Sequence, residues 1–305
     1  MKLGKIVRKA ILSRWDRKSP LLLGYSGGGD SKALLYALLE ADIREIHLAH
    51  VDHGWREESE QEAEQLHLEA NALGLVFHTR RLTGRPSRNL EEHGRNARLA
   101  FFQELFEKIP FQALLLAHHA DDAAETALKR VLEGAHLCHL HGMRQYGRLE
   151  GIEVWRPLLK VPKYELTQFI QEKGLSFFVD QTNKDRRFLR GRLRVEIIPF
   201  LEAAFGKKIC KNLQLLSERS QELQIYLEEK VQNLWDSASC EAARKSLNLN
   251  GVDRLIVRHL FQTKMGISFS REQLDILLNA QQKGSKVPVT KDVVMQRGVL
   301  SWVIK

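Results

Sequence analysis

Along the first two hundred residues, apolar runs of strand length alternate with stretches of helical period. The runs are PLLLGYS (20–26), EIHLAHV (45–51), LVFHTRRL (75–82) and QALLLAHH (112–119). Between them, 31–42, 56–73, 90–108 and 120–133 repeat their apolar positions with the 3.6-residue period of an amphipathic helix. Strand and helix in this alternation predict an α/β fold: an open parallel sheet with helices on both faces, because parallel strands need long crossovers that then cover the sheet. From about residue 206 the pattern changes. Residues 207–235 predict one long amphipathic helix, 250–262 and 270–281 shorter helical stretches, and 285–305 short strands broken by Lys-Asp and Arg-Gly turns. The domain boundary is therefore placed near 205, with an α/β domain over 1–205 and a smaller, mainly helical region over 206–305.

Composition adds limits to this picture. A chain of 305 residues that is 43% hydrophobic can bury a full core. No segment approaches the length of a bilayer span, and the first twenty residues lack a secretory pattern, so a cytoplasmic protein without membrane association is expected. Cys138, Cys210 and Cys240 are isolated and form no C-x-x-C pair, which argues against a disulfide framework or a thiolate metal cluster. HLCHLH (136–141) fits no common zinc spacing. The formal charge of +9 points to a polyanionic partner, and KDRRFLRGRLR (184–194) has the density of cations that tracks a phosphate backbone.

The chemistry concentrates at strand ends. SGGGDS (26–31) joins an apolar strand to a helix, and glycines there let backbone N–H groups approach an anion at the helix start. It is neither the G-x-x-x-x-G-K-[ST] nor the G-x-G-x-x-G nucleotide loop. AHHADDAAET (117–126) spaces His118, Asp122 and Glu125 so that on a helix they share a face, where two carboxylates could receive an amine. The same acids could simply complement a helix N-terminus. Ligands of open α/β sheets sit beyond the carboxyl ends of the strands, so SGGGDS, HVDHG (50–54) and HHADD (118–122) should meet at one crevice.

SGGGDS resembles the signature of the PP-loop ATP pyrophosphatases. The series SGGGDS, HVDHGWR, NLEEHGRNARLAFF, HHADDAAET, RPLLKVPKYEL and DQTNKDRRFLRGRLRVEIIPFL resembles, in order, the motifs of the tRNA(Ile)-lysidine synthetase family over about residues 20–204. Thiolating relatives in the superfamily use cysteine pairs that this chain lacks. The resemblance implies a PP-loop nucleotide-binding fold and a ligase that uses ATP and Mg²⁺ to join free L-lysine to the wobble cytidine of the CAU-anticodon isoleucine tRNA. It assigns ATP and its pyrophosphate to Ser26, Gly27, Gly28, Gly29, Asp30 and Ser31, with Asp30 also a metal ligand. Arg98 and His118 would stabilise charge at the reacting phosphate, Asp122 and Glu125 would hold lysine, and Arg190, Arg192 and Arg194 would contact tRNA or phosphate. The backbone near Val51 would meet adenine, the 206–305 region would take part in tRNA recognition, and a homodimer is one expectation from the family. No general base is singled out. Leu99 stands where the family has tyrosine, and Gly191 where it has asparagine.

Overall fold

The computed structural model describes residues 2–54, 59–82, 90–178, 189–236 and 254–266, the single residues 268, 270 and 272, and two strands at 286–290 and 293–296. Trp55 and Arg56 of the second motif, residues 184–188 of the basic run, Cys240, most of the 270–281 stretch and the Lys-Asp and Arg-Gly turns lie outside these residues.

Three consecutive leucines, Leu21 to Leu23, have no accessible surface. They form β1 (Leu21–Gly24), flanked by β2 (Ile46–Asp52) on one side and β4 (Leu114–Leu115) on the other, both parallel to it. Side chains alternate across a strand, so β1 feeds two cores at once. Leu21 and Leu23 pack with Leu3 and Val7 of α1 (Lys2–Leu12), Leu34 and Leu38 of α2 (Gly29–Glu40), Leu66 of α3 (Ser59–Ala72) and Phe169 of α6 (Lys163–Glu172). Leu22 packs on the opposite face with Ala49, Val51 and with Phe101, Phe102 and Leu105 of α4 (Leu90–Lys108). Each leucine so buried contributes about 2 kcal/mol relative to exposure.

The sheet runs β3-β2-β1-β4-β6-β5, where β3 is Val76–Arg81, β5 Tyr146–Leu149 and β6 Ile152–Trp155. Its strands are parallel except β5, which pairs antiparallel with β6. β3 is an edge strand, with Val76 exposed and two arginines at its end, a composition that discourages pairing with another chain. Chain order reverses between β1 and β4, and the carboxyl ends of these strands deliver the glycine loop and the histidine pair before α5 (Ala120–Leu132).

The four strands and four helices read from the alternating pattern are all present, with α2 to α5 at the predicted places. The pattern does not announce α1, α6 or the β5-β6 hairpin. That hairpin turns through Glu150 and Gly151, whose φ values are 47° and 89°, the left-handed pair a two-residue turn requires.

By compactness the chain divides into two units, Met1–His136 with Leu140–Glu218 and Leu137–His139 with Arg219–Lys305. The first continues past α6 with α7 (Leu189–Arg192), a π-helical turn at Leu193–Ile197 and α8 (Ile198–Phe205). Then α9 (Ile209–Asp236) forms as the long amphipathic pattern predicts. In the second unit, α10 (Arg254–Met265) contributes buried Val257, Leu260 and Phe261, and its Lys264 donates to Gln232 of α9 at 2.7 Å. The strands β7 (Lys286–Thr290) and β8 (Val293–Gln296) pair antiparallel near the carboxyl end. No helix among the described residues is long and apolar enough to cross a membrane.

Candidate active site

The glycine loop is shaped by sterics at one position above all. Gly27 has φ +76°, and a Cβ there would come within 2.8 Å of the Phe178 ring and 2.9 Å of Leu66. Its carbonyl accepts from the Phe178 N–H at 3.1 Å. Gly28 precedes the first helical residue of α2 without a side-chain cap, so the orphan N–H groups of that turn face outward with their partial positive charge. Ser26 and Ser31 hydroxyls lie 3.1 Å apart across the loop mouth, and Ser31 Oγ donates to the Gly28 carbonyl at 3.0 Å. Hydroxyls, amides and a helix N-terminus together suit an oxyanion of phosphate.

Asp30 sits in the first turn of α2. Lys163 of α6 makes a short ion pair with its Oδ1, and His119 Nε2 stands 3.6 Å from Oδ2. Burial alone would raise this carboxyl, but His119 and Lys163 outweigh it and hold Asp30 at about 2. His119 is almost fully buried and faces three carboxylates, Asp122 at 3.4 Å, Asp30 at 3.6 Å and Asp121 at 3.7 Å. Burial opposes its charge, yet Asp121, Asp30 and Asp122 together push the imidazole up to about 9. These separations exceed a good hydrogen bond, so the attraction is mainly between net charges.

His118 behaves in the opposite way. Crowding by surrounding atoms pushes its imidazole well below its ordinary value; Asp122 opposes the shift, while Arg156 and Arg190 reinforce it. Arg156 Nε donates to His118 Nδ1 at 3.3 Å, which leaves the remaining ring proton on Nε2. Arg156 follows β6 and is itself anchored by a 2.9 Å bond to the Arg144 carbonyl. Its own charge is disfavoured first by burial and then by Arg95 on α4.

Asp122 and Glu125 lie on the first turns of α5, as their spacing predicts, but His118 and His119 precede that helix. His118 therefore does not share a helical face with Asp122, and it couples to that carboxylate through space instead. Asp122 Oδ2 accepts from the His119 backbone N–H at 3.0 Å, and Asp121 Oδ2 from the Lys163 N–H at 2.8 Å. Asp122 thus caps the helix as well as facing the crevice. Glu125 is buried, which raises its carboxyl, and Arg194 opposes the rise with a two-pronged contact at 2.7 and 3.0 Å.

The structure thus brings together Ser26, the three glycines, Asp30, Ser31, His118, Asp122, Glu125 and Arg194. Arg190 is close enough to His118 to depress its protonation, and both Arg190 and Arg192 are exposed on α7. Arg98 is exposed on α4, and the guanidinium bonded to His118 belongs to Arg156. Leu99 is buried in the α4 core with Phe101 and Phe102, a position of packing rather than chemistry. His119, Arg156 and Lys163 carry much of the site's electrostatics without having been singled out by the motif reading. Arg156 and Lys163 both lie within RPLLKVPKYEL, and their basic charge among its apolar residues is the signal available in sequence.

Residues 2–201 match the PP-loop domain family, which agrees with this loop and sheet and makes the chain a PP-loop protein. A tRNA thiolase from Methanococcus maripaludis, solved with its [4Fe-4S] cluster, is similar in fold, with a TM-score of 0.58, 18% identity and coverage of 72% of this chain and 78% of that one. The chain belongs to the tRNA(Ile)-lysidine synthase family. It is 37% identical to the Chlamydia felis tRNA(Ile)-lysidine synthase over 306 residues, covering 96% of this chain and 95% of that protein. It is 36% identical to the Chlamydia pneumoniae protein of the same description over 298 residues, covering 93% and 92%. The chain is accordingly an enzyme of the ligase class, with an ATP-using PP-loop domain.

Proposed function

We propose that this chain forms lysidine in the CAU-anticodon isoleucine tRNA by two successive reactions at this site. First, the C2 oxygen of the wobble cytidine attacks the α-phosphate of ATP, and the α–β phosphoanhydride bond breaks to release pyrophosphate. Then an amine nitrogen of lysine attacks C2, the C2–O bond breaks, and AMP leaves. The observation that carries this reading is His119, which stands within 3.6 Å of Asp30 on the phosphate loop and 3.4 Å of Asp122 on the acidic helix. The cradle for an anion and the receptor for a cation are thereby neighbours, as a reaction joining a nucleotide-activated base to an amine requires.

Ser26, Ser31 and the amides after Gly27 would hold the departing pyrophosphate, with His119 cationic nearby at neutral pH. His118, neutral and with its proton on Nε2, is suited to donate to a phosphate oxygen as charge develops there. Arg156 fixes that tautomer, and the exposed Arg98 is a further candidate for phosphate charge. Asp122 and Glu125 would bind the α-ammonium of lysine and leave the ε-amine to react. Mg²⁺ fits Asp30 as one ionised oxygen ligand, with phosphates and water completing the shell, the usual arrangement for this ion. Its chemistry there would be neutralisation of the triphosphate, and Lys163, now paired with Asp30, would yield to it.

The exposed arginines of α7 and the helical second unit are assigned to the tRNA, supported by the net charge of +9. The test is mass analysis of nucleosides from this tRNA after incubation with the protein, ATP, Mg²⁺ and lysine. A wobble cytidine heavier by one lysine less one water is expected. Unmodified cytidine, or pyrophosphate release that proceeds equally well without the tRNA, would refute the assignment.

A further inference from the structure

All four carboxylate oxygens of the acidic pair are engaged by the chain itself. Glu125 Oε1 accepts from Arg194 Nε at 2.7 Å, and Glu125 Oε2 from an Arg194 Nη at 3.0 Å. The same Nη donates to Asp122 Oδ1 at 3.0 Å, while Asp122 Oδ2 accepts from the His119 N–H. A planar guanidinium held by two prongs on one carboxylate and shared with a second is among the stronger side-chain contacts. It delivers to this pair the single positive charge that an ammonium ion would deliver. Two cations in that space would repel each other and would each be left short of acceptors.

The backbone beneath Arg194 departs from ordinary helix. Leu193–Ile197 is a π-helical turn between α7 and α8, a local widening that recurs where proteins place functional side chains. Leu193 is fully buried in a cluster with Leu128 of α5 and Ile198 of α8, so the turn is pinned on one side. Arg194, the next residue, reaches Glu125 and Asp122 on the same helix α5, with its side chain still 38% exposed. A residue fixed at its base and partly open at its tip can exchange its partner without unfolding its surroundings.

We propose that Arg194 is an internal occupant of the amine subsite, and that lysine enters by exchange with it rather than by filling an open pocket. This rests on the assignment of Asp122 and Glu125 to lysine. In the unliganded chain the fraction of molecules with the pair exposed is small, and apparent lysine affinity is reduced by that fraction. Removing the guanidinium therefore strengthens lysine binding, whereas a purely structural role for Arg194 would weaken it.

The experiment is equilibrium dialysis of radiolabelled lysine against the full chain, without ATP or tRNA. Arg194→Gln and Arg194→Met, each checked by thermal melting, are expected to bind lysine roughly tenfold tighter than the parent. Binding by either folded variant that is no tighter than the parent overturns the proposal. A second measurement needs no variant: saturating lysine should speed backbone hydrogen exchange across 190–197 in the parent chain, and unchanged exchange there counts equally against it. Asp122→Asn and Glu125→Gln separate the two levels of the argument. If both leave lysine KM unaltered, the lysine assignment itself fails, and the occupant proposal falls with it. If both raise KM while Arg194→Gln brings no gain, the assignment stands and the exchange is wrong.

Discussion

Adjacent histidines with opposite behaviour define the residue scale. His119, held cationic by three acids, binds its proton more tightly folded than unfolded, with a folded value of about 9 against an ordinary 6.5. Its contribution to stability is fully present below pH 6.5 and is lost as pH rises through about 9. His118, depressed by its crowding, has the reverse sign: the unfolded chain takes up its proton first, so stability falls as pH drops below 6.5. Thermal melting across pH should therefore peak near neutrality. In His119→Gln the decline on the alkaline side should flatten, by on the order of 2 kcal/mol between pH 6.5 and 9 once the partial exposure of Asp30 is allowed for. An alkaline limb unchanged in that variant would contradict the three-carboxylate arrangement. Asp122→Asn tests the chemistry instead, because an amide keeps the helix cap while losing a charge-assisted contact. Lysine KM should rise roughly tenfold to a hundredfold while pyrophosphate release with saturating tRNA persists. Sequence exposed the acids and the glycine loop, which are local motifs, but not the Lys163–Asp30 pair or the Arg194–Glu125 pair. Their partners lie 133 and 69 residues apart, and only the folded sheet brings them together.

Whole elements were legible where burial has a period. Strands β1 to β3 and helices α2 to α5 fall close to the predicted ranges because each must satisfy a core on a fixed repeat. The reading of 112–119 as a strand shrinks to two paired residues, since the chain there turns early into the histidine pair. The β5-β6 hairpin went unread because its strands are four residues each and its turn carries a glutamate at a left-handed position usually given to asparagine or glycine. Two glycines at positive φ separate backbone strain from function. Gly151→Ala meets no atom within 4 Å, so it should cost about 1 kcal/mol by conformation alone and leave turnover unaltered. Gly27→Ala adds a collision with Phe178 and Leu66 to the same strain, and should cost at least about 2 kcal/mol and disable the ATP step. Denaturant melts with pyrophosphate assays on both variants decide it; equal losses of activity would remove the special role of Gly27.

For the whole molecule, charge is the property that composition alone revealed. A net +9 implies that tRNA affinity is set largely by counterion release. Filter binding between 50 and 200 mM salt should show a loss of roughly tenfold to a hundredfold, as expected for a few phosphate contacts. Salt-independent binding would place recognition in base contacts instead. The isolated anticodon stem-loop should bind more weakly than full-length tRNA if the second unit grips the tRNA body. The leucine triplet of β1 has a different consequence at this scale. Because all three residues are alike and both faces of the strand are apolar, sliding β1 by one position against β2 would leave greasy surface covered just as well. Solvent avoidance therefore cannot choose the alignment, and the choice falls to the residues just past the strand: the Tyr25 amide on the Ala49 carbonyl and a glycine bend that tolerates no Cβ. The loop proposed to receive the nucleotide is also the notch that indexes the sheet, so a lesion there should disturb assembly as well as turnover.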